Sequence, residues 1–251
     1  MNRSIEEKID LVVNWLREQV ENSGTKGLVV GLSGGVDSSV VGFLVKKAFP
    51  ENSIGVIMPC KSSEKDKNDA IQVAKAADLK HIVVDLTEEQ DNILEKVLGE
   101  LTSQQYDVNK NKRLADANLR ARMRMSTLYT IANSLNYLVV GTDNAAEVYT
   151  GYFTKYGDGG VDIIPIANLP KREVYKWARH LNVPQSTLDR SPSAGLWEGQ
   201  TDEDEMGTTY NMIDDLLEGK EIPEEDKQLI ERLHKSTEHK RKMPPAPPKF
   251  D

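Results

Sequence analysis

At 251 residues, with 38% hydrophobic and 29% charged residues, the chain is long enough for one large domain or two small ones. Its net charge of −8, from 32 basic and 40 acidic residues, lacks the basic surplus of a nucleic-acid binder. No apolar run reaches the roughly 18 residues of a membrane span, the N-terminus lacks a signal peptide's apolar core, and the single cysteine, Cys60, excludes internal disulfides and thiolate zinc sites. The expected compartment is the cytoplasm, with no membrane and no nucleic-acid partner.

Ser4 and Glu7 form a predicted capping box, and Ile5, Ile9, Val12, Val13, Leu16 and Val20 recur at helical spacing. An amphipathic helix therefore opens the chain. Leu28, Val29 and Val30 read as a buried strand, and the apolar run from Val40 to Val45 reads as a helix. Between them lie Gly31, Leu32, Ser33, Gly34, Gly35, Val36, Asp37, Ser38 and Ser39. The two central glycines let the backbone approach an anion, and the N–H groups of the next helix's first turn add its positive dipole end, which makes a polyphosphate cradle. Ser33, Ser38 and Ser39 supply hydroxyls, and Asp37 offers a carboxylate to a magnesium ion on the phosphates. The loop lacks the Gly-Lys-Ser/Thr ending of γ-phosphate-cleaving NTPases and the Gly-x-Gly-x-x-Gly of dinucleotide turns.

Further strands are predicted over residues 54–59, 81–86, 137–142 and, shorter, 162–166, with a helix carrying Ile71, Val73, Ala74, Ala77 and Leu79 after the second. Strands alternating with helices predict a single α/β domain over residues 1–251, a doubly wound, mostly parallel sheet with helices on both faces. Ligands in such folds sit at the carboxyl ends of the strands. The polar segment 61–69 and the Gly/Pro/Ser-rich segment 191–205 are expected to move, the second closing Leu196 and Trp197 over a ligand. Pro244 to Pro248 reads as a stiff extended end.

Thr142 falls at a strand's carboxyl end, where a hydroxyl can meet a nucleotide. Glu147 starts a helix and can supply a second metal carboxylate, although taken alone such a residue is more often a solvated first-turn acid. Taken alone, Lys155 and Lys171 read as surface lysines, Arg122 as half of a surface ion pair, and His239 as a tail histidine.

Ser33–Ser39 (SGGVDSS) resembles the pyrophosphate loop of the N-type ATP pyrophosphatases, which split ATP between the α and β phosphates. The resemblance narrows when NLRARMR (118–124), GTDNAAE (141–147), GYFTKYGDGGVD (151–162), PIANLPK (165–171), PSAGLWEGQTDEDEMG (192–207) and EHKR (238–241) are added. Together, in order over nearly the whole chain, they resemble ammonia-dependent NAD synthetase. This resemblance implies an adenine-nucleotide α-hydrolase-like fold, a homodimer, and magnesium-ATP, nicotinic acid adenine dinucleotide and ammonia as reactants. It assigns Gly31, Leu32, Ser33, Gly34, Gly35, Val36, Asp37, Ser38, Thr142, Lys171 and Ser193 to ATP, and Asp37 and Glu147 to magnesium. Arg122, Lys155, Asp162, His239 and Lys240 fall to the deamido dinucleotide, with Asp37, Ser33 and Lys171 closest to the chemistry. No residue is assigned as general base. Glutamine-dependent versions carry an additional amidase domain for which the segment before Gly31 leaves no room, and Cys60 lacks a Glu–Lys partner pattern, so free ammonia is the expected donor.

The rival readings are a GMP synthetase-like ligase, a tRNA sulfur-transfer enzyme, and a regulator that holds ATP without turnover. One cysteine and the acidic balance speak against the sulfur chemistry. The later motifs speak against the GMP enzyme. A binder needs no second carboxylate.

Overall fold

Ser4 Oγ accepts from the Glu7 N–H at 3.2 Å while the Glu7 carboxylate accepts from the Ser4 N–H at 2.6 Å, so the predicted capping box begins the first helix. That helix, α1 (Ile5–Ser23), buries Ile9, Val13, Leu16 and Val20. The computed structural model describes residues 3–193 and 201–249. After α1 come β1 (Gly27–Gly31), α2 (Val36–Ala48), β2 (Ser53–Ile57), α3 (Glu64–Ala76), β3 (His81–Val83), α4 (Thr87–Ser103), α5 (Lys112–Leu135), β4 (Tyr137–Val140) and α6 (Ala145–Thr150). The rest is helical: α7 (Lys171–His180), α8 (Gln185–Leu188), α9 (Asp202–Met206), α10 (Tyr210–Leu217), α11 (Glu224–Ser236) and α12 (Glu238–Arg241). No helix among the described residues is long and apolar enough to cross a membrane.

The strands pair in parallel in the order β3-β2-β1-β4. Leu28, Val29 and Val30 of β1 are fully buried, as a strand covered on both faces must be. Leu28 and Val30 pack with α1, α2 and α7 through Leu16, Leu44 and Trp177. Val29 packs the other way, with Val56 and Val139 against Leu128 and Ala132 of α5. The doubly wound sheet is therefore as predicted. Because the order turns back at β1, the crevice between the carboxyl ends of β1 and β4 is the topological switch point, where such folds bind ligands.

Two sequence expectations need correction. The fifth strand at 162–166 shrinks to one parallel bridge, Val140 to Ile163. Val139 O accepts from Ile163 N and Gly141 N donates to Ile163 O, but the next donor in that ladder would be Pro165, which has no N–H. The polar segment 61–69 is irregular only as far as Ser63, where a second capping box, Ser63 with Asp66, starts α3. Leu196 and Trp197 lie outside the described residues.

The phosphate-loop glycine Gly34 has φ +78°, and a Cβ there would come within 3.0 Å of Ala70 N and Asp66 O on α3. Its freedom thus serves both the turn and the close approach of α3. Gly34→Ala is expected to destabilise the protein by about 1–2 kcal/mol. Urea unfolding checks this, and an unchanged midpoint would contradict it.

Candidate functional site

Three helices begin at the switch point, and each delivers one charged side chain. Asp37 stands in the first turn of α2, Glu147 in the first turn of α6, and Lys171 is the first residue of α7. Lys171 Nζ lies 2.5 Å from Asp37 Oδ2 and 3.4 Å from Glu147 Oε1, with its side chain only 4% exposed. Asn144 locks this arrangement from the β4 side. Its Oδ1 accepts from the N–H groups of Ala146 and Glu147, and its Nδ2 donates to Asp37 Oδ1 at 2.9 Å, which ties the loop after β4 to the loop after β1. Glu147 closes the box by accepting from Asn144 N at 3.0 Å.

Lys171 follows Pro170, which supplies no side-chain cap for α7. Asp214 of α10, fully buried, does so instead, accepting from the N–H groups of Lys171 and Arg172 at 2.9 Å each. From the same helix, Tyr210 places its ring 4.4 Å from Lys171 Nζ, and its hydroxyl lies 2.9 Å from both Glu147 Oε1 and Asp202 Oδ2.

Burial, reinforced by the Asp37 carboxylate, pushes the Glu147 carboxyl up to about 7. Burial opposes the charge on Lys171, yet the facing Asp37 and Glu147 carboxylates outweigh it and hold the ammonium above the usual lysine range. Burial among Asp158, Glu147 and Asp37 holds the Asp143 carboxyl well above its usual range. Burial likewise raises Cys60, whose Sγ points at Leu86 O, so this thiol is no nucleophile.

The cluster forms one wall of a cavity of about 770 Å³, a volume suited to a nucleotide-sized ligand. Gly31, Leu32, Ser33, Gly35, Val36, Asp37 and Ser38 line it, as do Thr142, Glu147, Lys171 and Ser193. Gly34 instead faces α3. Ser38 Oγ sits 3.0 Å from Ser33 Oγ and donates to Gly35 O, while Ser39 is turned into the helix, donating to the same carbonyl at 2.7 Å.

The residues attributed to the second substrate are less gathered. Lys240 lines the cavity, with its ammonium on the carbonyls of Gly151 and Phe153. Arg122, Lys155, Asp162 and His239 lie off it. Arg122 donates to Lys155 O, Lys155 to His239 O, and Asp162 accepts from the Tyr129 hydroxyl and the Val139 N–H. Sequence reading missed Asn144, Asp202, Tyr210 and Asp214. Only Asn144 carried a local signal, as the first residue of an Asn-x-x-Glu box.

Among the described residues no group of three or more His, Cys, Asp or Glu makes a ready metal cage. The donor set nevertheless suits magnesium. Asp37 and Glu147 are hard carboxylates that already share one cation, and one or two protein carboxylates are what such an ion takes beside other oxygen ligands.

Glu147's ordinary value is 4.5, and about 7 in the fold. Its protonated form is thus the one the ligand-free fold prefers, a contribution present below 4.5 and lost as pH rises through 7. The stability of the ligand-free protein relative to Glu147→Gln is expected to fall between about pH 5 and pH 8. Paired thermal melts check this, and a difference flat across that range would contradict it.

The same chain is matched over residues 8–244 by the NAD synthase family model. It is 64% identical over 241 residues to the NH3-dependent NAD+ synthetase of Alkaliphilus metalliredigens, covering 96% of this chain and 97% of that protein. It is 61% identical over 247 residues to the NH3-dependent NAD+ synthetase of Alkaliphilus oremlandii, covering 98% and 99%. Among solved structures, an NMN synthetase from Francisella tularensis superposes with a TM-score of 0.89 at 38% identity, covering 98% of this chain and 99% of that one. By that family match and by these two relatives, the chain belongs to the NAD synthase family.

Proposed function

We propose that this chain, working as a single domain, activates the carboxylate of nicotinic acid adenine dinucleotide with ATP and amidates it with ammonia, giving NAD, AMP and pyrophosphate. One observation carries the reading: Asp37 and Glu147, brought to opposite sides of the switch point and clasped by Lys171, stand beside a glycine- and serine-rich loop at a helix N-terminus. A carboxylate is a poor electrophile because its leaving group would be oxide. Attack of one of its oxygens on the α-phosphorus expels pyrophosphate and makes AMP the leaving group. Nitrogen then attacks the acyl carbon, AMP departs, and the nitrogen loses a proton.

In this reading the loop from Gly31 to Ser38 holds the triphosphate through backbone N–H groups and the Ser33 hydroxyl. Lys171 stays charged and donates to phosphate oxygens as negative charge shifts onto the leaving pyrophosphate. Thr142 and Ser193 line the same cavity as further ATP contacts. Asp37 and Glu147 would hold a magnesium ion, which when bound would supply positive charge at the phosphate oxygens. The cavity wall also carries Asp143, Asp158, Asp202 and Glu205, whose carboxyl oxygens can accept hydrogen bonds from ammonium.

The assembly is proposed to be a homodimer in the cytoplasm. Ile93, Val97 and Leu101 leave an apolar stripe exposed on α4, and Ile82 and Val83 are exposed on the edge strand β3, apolar surface that a second copy would cover. The likeness to an NMN synthetase favours a second acceptor, nicotinic acid mononucleotide, at the same site.

The test is AMP and amide formation from magnesium-ATP with either acceptor and with ammonium or glutamine as donor. NAD formed with ammonium and not glutamine is expected. A chain that releases no AMP with either acceptor would overturn the reading in favour of a nucleotide binder. Asp37→Ala should cut AMP formation by about 100-fold or more while the protein stays folded by circular dichroism, and wild-type-like turnover would remove Asp37 from the metal site.

A further inference from the structure

Helix α6 is six residues long, and, as in any α-helix, its last carbonyls have no partners within the helix. Those carbonyls are capped in series from one distant segment. Arg241 Nη1 donates to Val148 O at 3.3 Å, His234 Nδ1 lies 2.8 Å from Tyr149 O, and Thr237 Oγ1 lies 3.0 Å from Thr150 O, sharing its one proton with Leu233 O at 2.7 Å. Lys240 Nζ continues the series, donating to Gly151 O and Phe153 O at 2.7 Å each. The partners lie 85 to 93 residues apart in the chain.

The capping segment is itself braced. Arg241 also donates to Thr237 Oγ1 at 2.9 Å and to His234 O. The His234 ring stacks on Tyr149, centroids 4.2 Å apart. Shape agrees with polarity. Gly151 sits at φ +67°, and a Cβ there would come 2.3 Å from Thr237 Cβ, so the two backbones meet at a place that admits no side chain.

Gly151, Tyr152, Phe153 and Thr154, the segment that α6 launches, line the cavity, whereas Thr237 and Arg241 do not. We propose that Thr237 and Arg241 are positioning residues for the acceptor substrate, fixing the 151–154 wall through the C-terminal carbonyls of α6. This rests on the reading of the cavity as the site of acceptor activation. The N-terminal end of α6 is held separately, by Asn144, Asp37 and Lys171. Losing the C-terminal caps therefore frees the acceptor wall before it disturbs Glu147. A cation at a helix C-terminus and a hydroxyl on an otherwise orphaned carbonyl are both stabilising, so their loss is felt locally.

The variants are Thr237→Val, which keeps the shape against Gly151, and Arg241→Met, which keeps length and loses every donor. With each, the KM for nicotinic acid adenine dinucleotide is expected to rise about tenfold while that for ATP stays within about twofold, and Arg241→Lys to restore part of the loss. In the ligand-free full chain, amide hydrogen exchange should quicken at residues 151–158 and hold at 144–147. Unchanged exchange at 151–158 would overturn the proposal, as would acceptor and ATP KM values that rise together in step with a lower melting temperature. A wild-type protein that makes no AMP would overturn the functional reading instead, and the exchange result would still decide whether the caps hold the wall.

Discussion

One ammonium between two carboxylates, nearly shut off from water, is the interaction on which the rest of the molecule depends. A buried charge without a partner is costly, and a buried triad is tolerated only where its geometry is over-determined. Lys171, Asp37 and Glu147 meet that demand because each heads a different helix and none can withdraw alone. The turn after β1, the Asn144 bridge after β4 and the Asp214 cap on α7 all serve the same few ångströms. The positive ends of three helix dipoles converge there as well, and the two carboxylates offset that field.

The network does not stop at the triad. The Tyr210 hydroxyl carries one proton yet lies 2.9 Å from carboxylate oxygens of both Glu147 and Asp202. Burial raises both of those carboxyls, so the proton count of the group, and not one residue, is what the ligand-free site conserves. Asp202 opens α9, so the same hydroxyl couples the start of α9 to the carboxylate at the start of α6. Such a cluster is a poor way to gain stability and a good way to hold charges in a set geometry, consistent with its place at a site.

The features legible in the sequence are those whose physics is local. A buried strand, a glycine turn and a helix start fall within a dozen residues, and the loop from Gly31 to Ser39 could be read as an anion cradle without any other part of the chain. The Ser4 box and the alternation of strands and helices were legible for the same reason. Asp214 was not, because it caps a helix start 43 residues away and carries no signature on its own helix. Tyr210 is 63 residues from the carboxylate it meets. The start of α3 was hidden differently: its first turns bear no apolar residue, and only the Ser63–Asp66 pairing betrays it. Arg122, Lys155, Asp162 and His239 entered through family resemblance, and a single chain does not bring them to the cavity. Pro165 shows the converse, a local residue that ends a strand the apolar pattern would have continued.

Four of the cations on the cavity wall are already engaged. Lys171 serves two carboxylates, Lys240 two carbonyls, Arg190 pairs with Asp66, and Arg124 donates to Met58 O and Ser62 Oγ. At these four, binding an anion is an exchange of partners, in which a phosphate or carboxylate must replace an acceptor the protein has already positioned. The net gain per contact is small, and a misplaced ligand gains nothing because the internal partner serves as well. A ligand whose charge grows along the reaction does gain, since only then does the new acceptor outbid the old. A site built this way discriminates by geometry and by the charge that develops in the transition state, more than by the charge a substrate brings with it.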